Sequence, residues 1–390
     1  MSPTWSTALA AYFNPFRKPK MSPVTLVFPS SMMQSHAFTR LAKARGDRVI
    51  AASSVKADET AKHYDHWVHL PSMYDPGFGE ALADLIASEG ITHFYTPHMV
   101  VYPAVKALVA SESLPITVCD DPIETLQGQY RDVLAHAQSA APFIRAISGF
   151  DLPEALVASL FHFGEQIYGQ TSETKIAAMA AVCAIAPKGD LIEIGSAWGR
   201  SAFVLATLAA HFDTGNLLCI DPWAEEIAHQ SSDQEYLTQA IGAMDWEATF
   251  QVFLIHMLPF GRRVNYLRST SAQVAALYRR SNPAVSSELG TTSYTGRAAV
   301  IHIDGNHGLE CIEEDCRLWR PCLLPGGWLI IDDYVWEHGT GPQQVGDALI
   351  ENERANIDCA FVAGKALFIR FKANSVRERL HSFVDSGAIS

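Results

Sequence analysis

At 390 residues the chain has room for two domains, or for one with a large extension, and its 48% hydrophobic and 18% charged residues can build sizeable cores. A formal charge of −13 argues against binding a nucleic-acid backbone, which needs clustered lysine and arginine, and fits an enzyme of small, neutral or cationic ligands. Seven scattered cysteines, an odd number with no CxxC pair, read as reduced thiols of a cytoplasmic protein and not as a disulfide framework.

No apolar run approaches the ~20 residues of a membrane span. Residues 1–22 read as an N-terminal extension whose aromatics precede the basic Arg17, Lys18 and Lys20, the reverse of a secretory signal. Trp5, Leu9, Tyr12, Phe13 and Phe16 fall at helical spacing; a helix packed on a domain accounts for them, and one lying on a membrane surface is the alternative.

From Val24, TLVFPS is a short apolar run, SHAFTRLAKARGD a helix stopped near Gly46, and RVIAAS a second strand. WVHLPS, a helix through EALADLIASEG, ITHFYTP and PITVCDD follow. Strands alternating with helices predict a parallel sheet covered on both faces. The turn Pro29–Ser31, the LPS segment, the turn Asp75–Phe78 and the helix before ITHFYTP resemble the small Rossmann-like domain that precedes the catalytic domains of ATP-grasp ligases, over residues 23–121. That resemblance implies a loop at Pro29–Ser31 meeting a substrate carboxylate or phosphate; a fold kept for packing or partner recognition is the alternative. No ATP-grasp domain follows, so no ligase activity is implied.

Residues 122–168 read as a helical linker, with Asp151 as a cap and Pro153 in the first turn of its second helix. Ser172 opens the helix in SETKIAAMAAVCAIAP, and Pro187–Gly189 closes it. A second domain is expected over 169–372, and a C-terminal tail helix over 373–390.

The stretch DLIEIGSAWGRSAFVLATLAAHFDTGNLLCID predicts a buried strand (Leu191–Ile194), a glycine turn, a helix from Arg200, and a strand (Leu217–Ile220) ending in Asp221. Gly195 allows the sharp turn and Gly199 a close approach of helix and ligand. A dinucleotide site would want glycine where Ala197 and Arg200 stand, and Trp198 would crowd a diphosphate. Asp221, about 20 residues on, is placed to accept both ribose hydroxyls. Glu193 suits a ligand carrying an amino group or sulfonium and repels phosphate. These features point to S-adenosylmethionine rather than NAD or ATP.

Two later strands end in acids. VIHID ends at Asp304, and GGWLIIDDY at Asp332 and Asp333. In a parallel sheet these ends share an edge with Gly195 and Asp221. Unpaired, the carboxylates would repel and raise one another's pKa; a divalent cation resolves that, and oxygen ligands favour Mg²⁺ or Mn²⁺. His307, three residues past Asp304, could take a hydroxyl proton at neutral pH; a helix-start histidine bonded to backbone is the alternative. Asp315 reads as a helix-surface or capping acid, and His338 as a lesser base candidate. The loops Ala224–Asp245 and Pro283–Gly296 are expected to shape a substrate pocket.

EIGSAWGRS followed by CIDPW resembles the first two cofactor motifs of class I S-adenosylmethionine-dependent methyltransferases. Within them the chain is similar to the small-molecule O-methyltransferases related to macrocin O-methyltransferase and the cephalosporin-hydroxylase-like group, from about Gly169 to Arg370. The resemblance implies an α/β fold with a doubly wound sheet, the second of two Rossmann-like domains. It implies that Glu193, Gly195, Ser196, Gly199 and Ser201 line the methionine and turn region, that Asp221 holds the ribose and that Trp223 flanks the adenine. VNYLRSTSAQVAALY matches the third-strand motif, with Thr270 where the family has an acid; Ser271 is either a cofactor contact or a helix N-cap. Asp304, Asp332 and Asp333 would bind Mg²⁺, and Asp304 or His307 would act as base; Leu309 stands where the family often has an aromatic. The expected protein is a Mg²⁺-dependent O-methyltransferase of a small hydroxylated substrate, a sugar moiety or secondary metabolite, with a homo-oligomer compatible. A metal-dependent hydroxylase-like enzyme and a non-catalytic nucleoside-binding scaffold are the competing expectations.

Overall fold

Apolar runs too short for helices pair side by side in the first part of the chain: Val24–Val27 (β1), Arg48–Ser53 (β2), Trp67–His69 (β3), His93–Tyr95 (β4) and Thr117–Val118 (β5). In the computed structural model, which describes residues 23–228, 235–335 and 339–373, they form a parallel sheet in the order β3-β2-β1-β4-β5. Successive residues of β1 face opposite sides. Leu26 packs with Leu82, Ile86 and Val105 of helices Phe78–Glu89 and Val101–Ser111, while Val27 packs with Ala42 of helix Met33–Ala44. Both faces are therefore covered. In the loop after β1, Ser30 is fully buried and its groups are met within this unit. Its N–H donates to the Ala52 carbonyl, its carbonyl accepts the Tyr64 hydroxyl at 2.6 Å, and its hydroxyl oxygen accepts the Trp67 indole N–H at 3.2 Å.

The chain divides into two units, Met1–Asp132 and Val133–Ser390. Helix Pro122–Ser148 is followed by Glu154–Glu165. Asp151 does not cap the latter: Pro153 holds the N-cap position, and the Asp151 carboxylate accepts the Arg145 guanidinium at 2.6 and 2.7 Å instead. A bidentate cation outcompetes backbone N–H groups for a carboxylate. Ser172 does cap helix Glu173–Ala184, accepting the Lys175 N–H. The aromatic stripe of residues 1–22, His338 and the tail from residue 374 lie outside the described residues.

In the second unit the strands are Asp190–Ile194 (β6), Leu217–Ile220 (β7), Val264–Leu267 (β8), the small hairpin Ala284–Ser286 (β9) and Gly290–Thr292 (β10), then Ala298–Ile303 (β11), Leu323–Ile331 (β12), Ile357–Ala363 (β13) and Ala366–Phe371 (β14). Seven of them form a sheet in the order β13-β14-β12-β11-β6-β7-β8, in which β14 pairs antiparallel with both neighbours and the other pairings are parallel. Helices Glu154–Glu165, Glu173–Ala184, Arg200–Phe212 and Trp246–Met257 pack on the face that carries Leu191. Helices Ser271–Arg279, Leu309–Trp319 and Gly341–Glu353 pack on the face that carries Ile192 and Ile194.

The register positions the chemistry. Ile194 pairs with Ile220 on one side and Ile303 on the other, and Ile303 pairs with Ile331. The next residue in each strand is Gly195, Asp221, Asp304 and Asp332, so these four form one row at the carboxyl edge. A side chain at 195 has no place in that row: φ there is +83°, and a Cβ would lie 2.0 Å from the Asp304 carbonyl oxygen. Gly195→Ala should lower the unfolding free energy by about 2 kcal/mol or more, and the thermal midpoint by several degrees. Gly326→Ala is the control, because Gly326 also has positive φ (+78°) but faces open space; calorimetry should show about half that loss or less.

Candidate active site

The turn after β6 is held from below by its own acids. Asp221 accepts the N–H groups of Ser196 and Ala197, each at 2.9 Å, on one carboxylate oxygen and that of Trp223 at 2.7 Å on the other. A carboxylate has about four acceptor directions. Three are spent on the turn, so Asp221 can take at most one ribose hydroxyl rather than the expected two. Glu193, fully buried, accepts the Ser196 hydroxyl at 2.6 Å and lies 3.3 Å from Nδ1 of His302. Ala197 and Trp223 both adopt positive φ, +42° and +44°, a conformation that side chains resist and surrounding bonds must enforce.

Trp223 does not flank a ligand pocket. Its ring, 2% exposed, packs among Phe250, Phe253 and Tyr266, and its indole N–H donates to the Ala197 carbonyl at 2.9 Å. Burial of a large ring with a satisfied N–H makes it a support for the turn. Gly199 serves similarly: it caps helix Arg200–Phe212 at φ +91°, and a Cβ there would meet Phe253 at 3.2 Å. Of the residues expected around the cofactor, Gly195, Ser196, Ser201, Asp221 and Ser271 line cavities, while Glu193, Gly199 and Trp223 stand behind them.

Two cavities open at this edge and share Gly195, Ala197, Ile241, Trp246 and Asp304. One, of about 500 Å³, is walled by apolar side chains including Ile220, Pro222, Ile227 and Trp246, with Ser271 and Asp315 among its polar lining. The other, of about 630 Å³, is lined by Ser196, Ser201, Asp304, His307, Asp332 and Asp333 among others. Ser271 is not a helix N-cap. Thr270 holds that position in a capping box with Gln273, and the Ser271 hydroxyl donates to Asp315. Asp315 is not a surface acid either; it is 6% exposed. Burial pushes its carboxyl up to about 6 against the pull of the Ser271 hydroxyl.

The acids of β11 and β12 meet a lysine that motif reading did not find. Lys175, 1% exposed, reaches from helix Glu173–Ala184 to hydrogen-bond Asp332, with Asp304 at 3.7 Å. His302 enters the same cluster: its Nε2 lies 3.9 Å from Asp304 and is buried without a hydrogen-bond partner among the described residues. His302, Asp304 and Asp332 each offer a ligand atom within 4.8 Å of one another. Asp333 turns toward His307, whose Nε2 lies 3.7 Å from it and 3.8 Å from Asp304. Burial opposes ionisation of every acid here. For Asp304 burial and the Asp332 charge win, and its carboxyl rises to about 6. For Asp332 the Lys175 ammonium that hydrogen-bonds it wins, and it falls below the ordinary carboxylate range. His307 is raised, since the neighbouring carboxylates outweigh its burial.

Both additional residues carried a signal in the sequence. Lys175 is the one cation in the apolar run TKIAAMAAVCAIA, and His302 stands two residues before Asp304 in a strand, hence on the same face.

A doubly wound sheet with one reversed strand and its polar row at the carboxyl edge is the class I methyltransferase fold. Residues 192–334 match the family model described as a methyltransferase domain. A curated relative from Streptomyces olivaceus, 8-demethyl-8-(2,3-dimethoxy-alpha-L-rhamnosyl)-tetracenomycin-C 4'-O-methyltransferase, is 28% identical over 149 residues, which cover 38% of this chain and 53% of the relative. The chain thus spans about half the length of the curated relative it matches. Among solved structures, the O-methyltransferase NovP aligns over 51% of this chain and 79% of its own at 13% identity and a TM-score of 0.37. The MycE methyltransferase from the mycinamycin biosynthetic pathway, solved with Mg and SAH, aligns over 60% of each chain at 15% identity and a TM-score of 0.36. No helix among the described residues is long and apolar enough to cross a membrane.

Two outcomes follow from the charges. Lys175→Met strands two half-buried carboxylates and should cost about 3 kcal/mol in urea denaturation, a loss that Lys175→Met with Asp332→Asn partly reverses. Asp315 behaves oppositely. Its folded pKa, about 6, exceeds the unfolded value, so the folded state binds more protons and wild-type stability falls as pH rises between roughly 4 and 6. Asp315→Asn should therefore match wild type near pH 4 and exceed it by about 2 kcal/mol at pH 8.

Proposed function

We propose that this chain is an S-adenosyl-L-methionine-dependent O-methyltransferase that acts, with Mg²⁺ or Mn²⁺, on a hydroxyl of a small molecule such as a sugar moiety or secondary metabolite. One observation carries the reading. An apolar slot and an acidic cavity meet at the Gly195 turn, so a ligand bound along the turn would reach from one into the other.

The donor chemistry fits a sulfonium nucleoside. The Ala197 side chain stands where a diphosphate would need glycine, and the carboxylates Asp304, Asp332 and Asp333, which attract a sulfonium and repel phosphate, line the acidic cavity beside the cations Arg200 and Lys365. In this reading Gly195, Ser196, Ser201, Asp221 and Ser271 contact the cofactor, with Glu193, Gly199 and Trp223 fixing the turn. The acid cluster fits a cation as well. Glu193, Asp304, Asp332 and Asp333 carry four negative charges when ionised against the two lysines that act on them, Lys175 and Lys365, an excess of two with both histidines neutral. The unpartnered Nε2 of His302 adds a donor at the same spot. Asp304, Asp332 and Asp333 would hold the ion, which when bound lowers the pKa of a coordinated hydroxyl and stabilises its alkoxide.

The protein's own task is alignment and proton removal, since a sulfonium is already an activated leaving group. His307, between Asp304 and Asp333, is positioned to take the hydroxyl proton, and the two carboxylates stabilise the imidazolium that forms. Asp304, with its carboxyl raised to about 6, is the other base on the same wall.

Calorimetric titration with S-adenosylhomocysteine tests the cofactor; absence of binding to wild type overturns the reading. With transfer to a panel of hydroxylated glycosides as readout, His307→Ala should lower kcat by about 100-fold or more with S-adenosylhomocysteine affinity unchanged. Full methyl transfer by Asp332→Ala in EDTA would remove the ion from the mechanism.

A further inference from the structure

The first unit carries a cavity that methyl transfer does not use. Helices Phe78–Glu89 and Val101–Ser111 both pack on the sheet face that carries Leu26, and a Cβ at Gly79 would lie 3.3 Å from Leu108. Where they meet, the short side chains of Ala83 and Ala104 leave a groove of about 740 Å³. Its apolar wall includes Met73, Leu108 and Leu114, which pack on the edge of the core and stay partly exposed. Its acids are Asp75, Glu80 and Glu112, and no cation lines it among the described residues. Glu80 and Glu112 are exposed and have no ion pair among the described residues. A half-covered apolar groove with an acidic rim fits a basic, amphipathic occupant.

The chain's own residues 1–22, which precede the described part, match the groove in both respects. They contain no acid, and Arg17, Lys18 and Lys20 set three positive charges against the three carboxylates. Trp5, Leu9, Tyr12 and Phe13 recur at the spacing of one helix face. Pro3 suits a first helical turn and Pro15 a stop, which leaves a helix of about 12 residues. Such a helix is marginal alone in water and needs a surface for its apolar face. The two helices that flank the groove have 12 and 11 residues, a matching length.

The tether is long enough. The chain enters β1 at Val24, and Leu114, at one end of the groove, precedes β5 at the same amino edge of the sheet. β1 and β5 are both neighbours of β4, hence about 10 Å apart, whereas residues 15–22 can span about 25 Å. We propose that residues 3–14 form a helix that docks in this groove of their own unit, the aromatic stripe against Met73, Leu108 and Leu114 and the following basic run beside the acidic rim. The tether supplies an effective concentration of about 1 mM, so a contact that would be weak between separate molecules suffices.

Hydrogen exchange of the full chain, read by mass spectrometry, tests the docking. Amides of residues 3–14 should exchange about 10-fold or more slowly than in a peptide of the same sequence. Deleting residues 2–20 should speed exchange in residues 73–83 and 104–114 and leave helix Met33–Ala44 as it was. Ala104→Arg fills the groove from an exposed position and should release residues 3–14 with the segment itself intact. Glu80→Lys with Glu112→Lys should weaken the protection, and adding Arg17→Glu and Lys18→Glu should restore it, a rescue that a merely structural role for those acids would not produce. Fast exchange of residues 3–14 in wild type overturns the proposal, and so does slow exchange that survives Ala104→Arg. Protection that vanishes on dilution together with a sedimenting dimer gives the groove to a second copy's segment. Protection gained only with anionic phospholipid vesicles gives the stripe to a membrane surface. Either result overturns docking within one chain.

Discussion

Ending parallel strands in step places their next residues side by side, and here three of four such residues are aspartates. Asp221, Asp304 and Asp332 share one edge because Ile220, Ile194, Ile303 and Ile331 are in register. Carboxylates gathered in this way and partly removed from water must be compensated or protonated. The rest of the domain can be understood from how each is met. Asp221 receives three backbone N–H groups, Asp332 receives Lys175, and Asp304 is left under-compensated with its carboxyl raised to about 6. The one that is least satisfied is the one that both cavities share.

Compensating Asp221 with backbone has a structural cost that is visible around it. To aim the N–H groups of Ser196, Ala197 and Trp223 at a single carboxylate, two non-glycine residues adopt positive φ, a strain of order 1–3 kcal/mol each. Trp223 offsets this by burying its ring in an aromatic cluster and by holding the Ala197 carbonyl with its indole N–H. The turn is therefore rigid before any ligand arrives, with its shape set by Asp221 and Trp223 together. Rigidity of this kind reduces the ordering cost of binding.

Much of this was legible in the sequence because it follows from local pattern. Apolar runs that stop at Asp221, Asp304 and Asp332 read as strands with acidic ends, and alternation with helices makes the sheet parallel, so convergence follows. What escaped depended on tertiary direction. Trp223 comes three residues after a strand that ends at a cavity, yet a positive φ swings it into the core. Asp315 sits with Ile312, Cys316 and Trp319 at spacings that put all four on the buried stripe of one helix, a pattern present in the sequence but overridden by the expectation that acids face water. Lys175 lies far from Asp332 along the chain, and only packing brings the two together.

The shared wall between the cavities also couples them mechanically. Gly195 is confined by the Asp304 backbone so closely that no side chain fits between them. Glu193, one residue before Ile194, bonds the turn through Ser196 and approaches His302, which in turn faces Asp304. A change of charge at Asp304 is therefore felt through His302 and Glu193 at the turn, over a path of direct contacts in a buried, weakly screened setting. The turn and the acid cluster are thus joined by direct contacts across a single strand end.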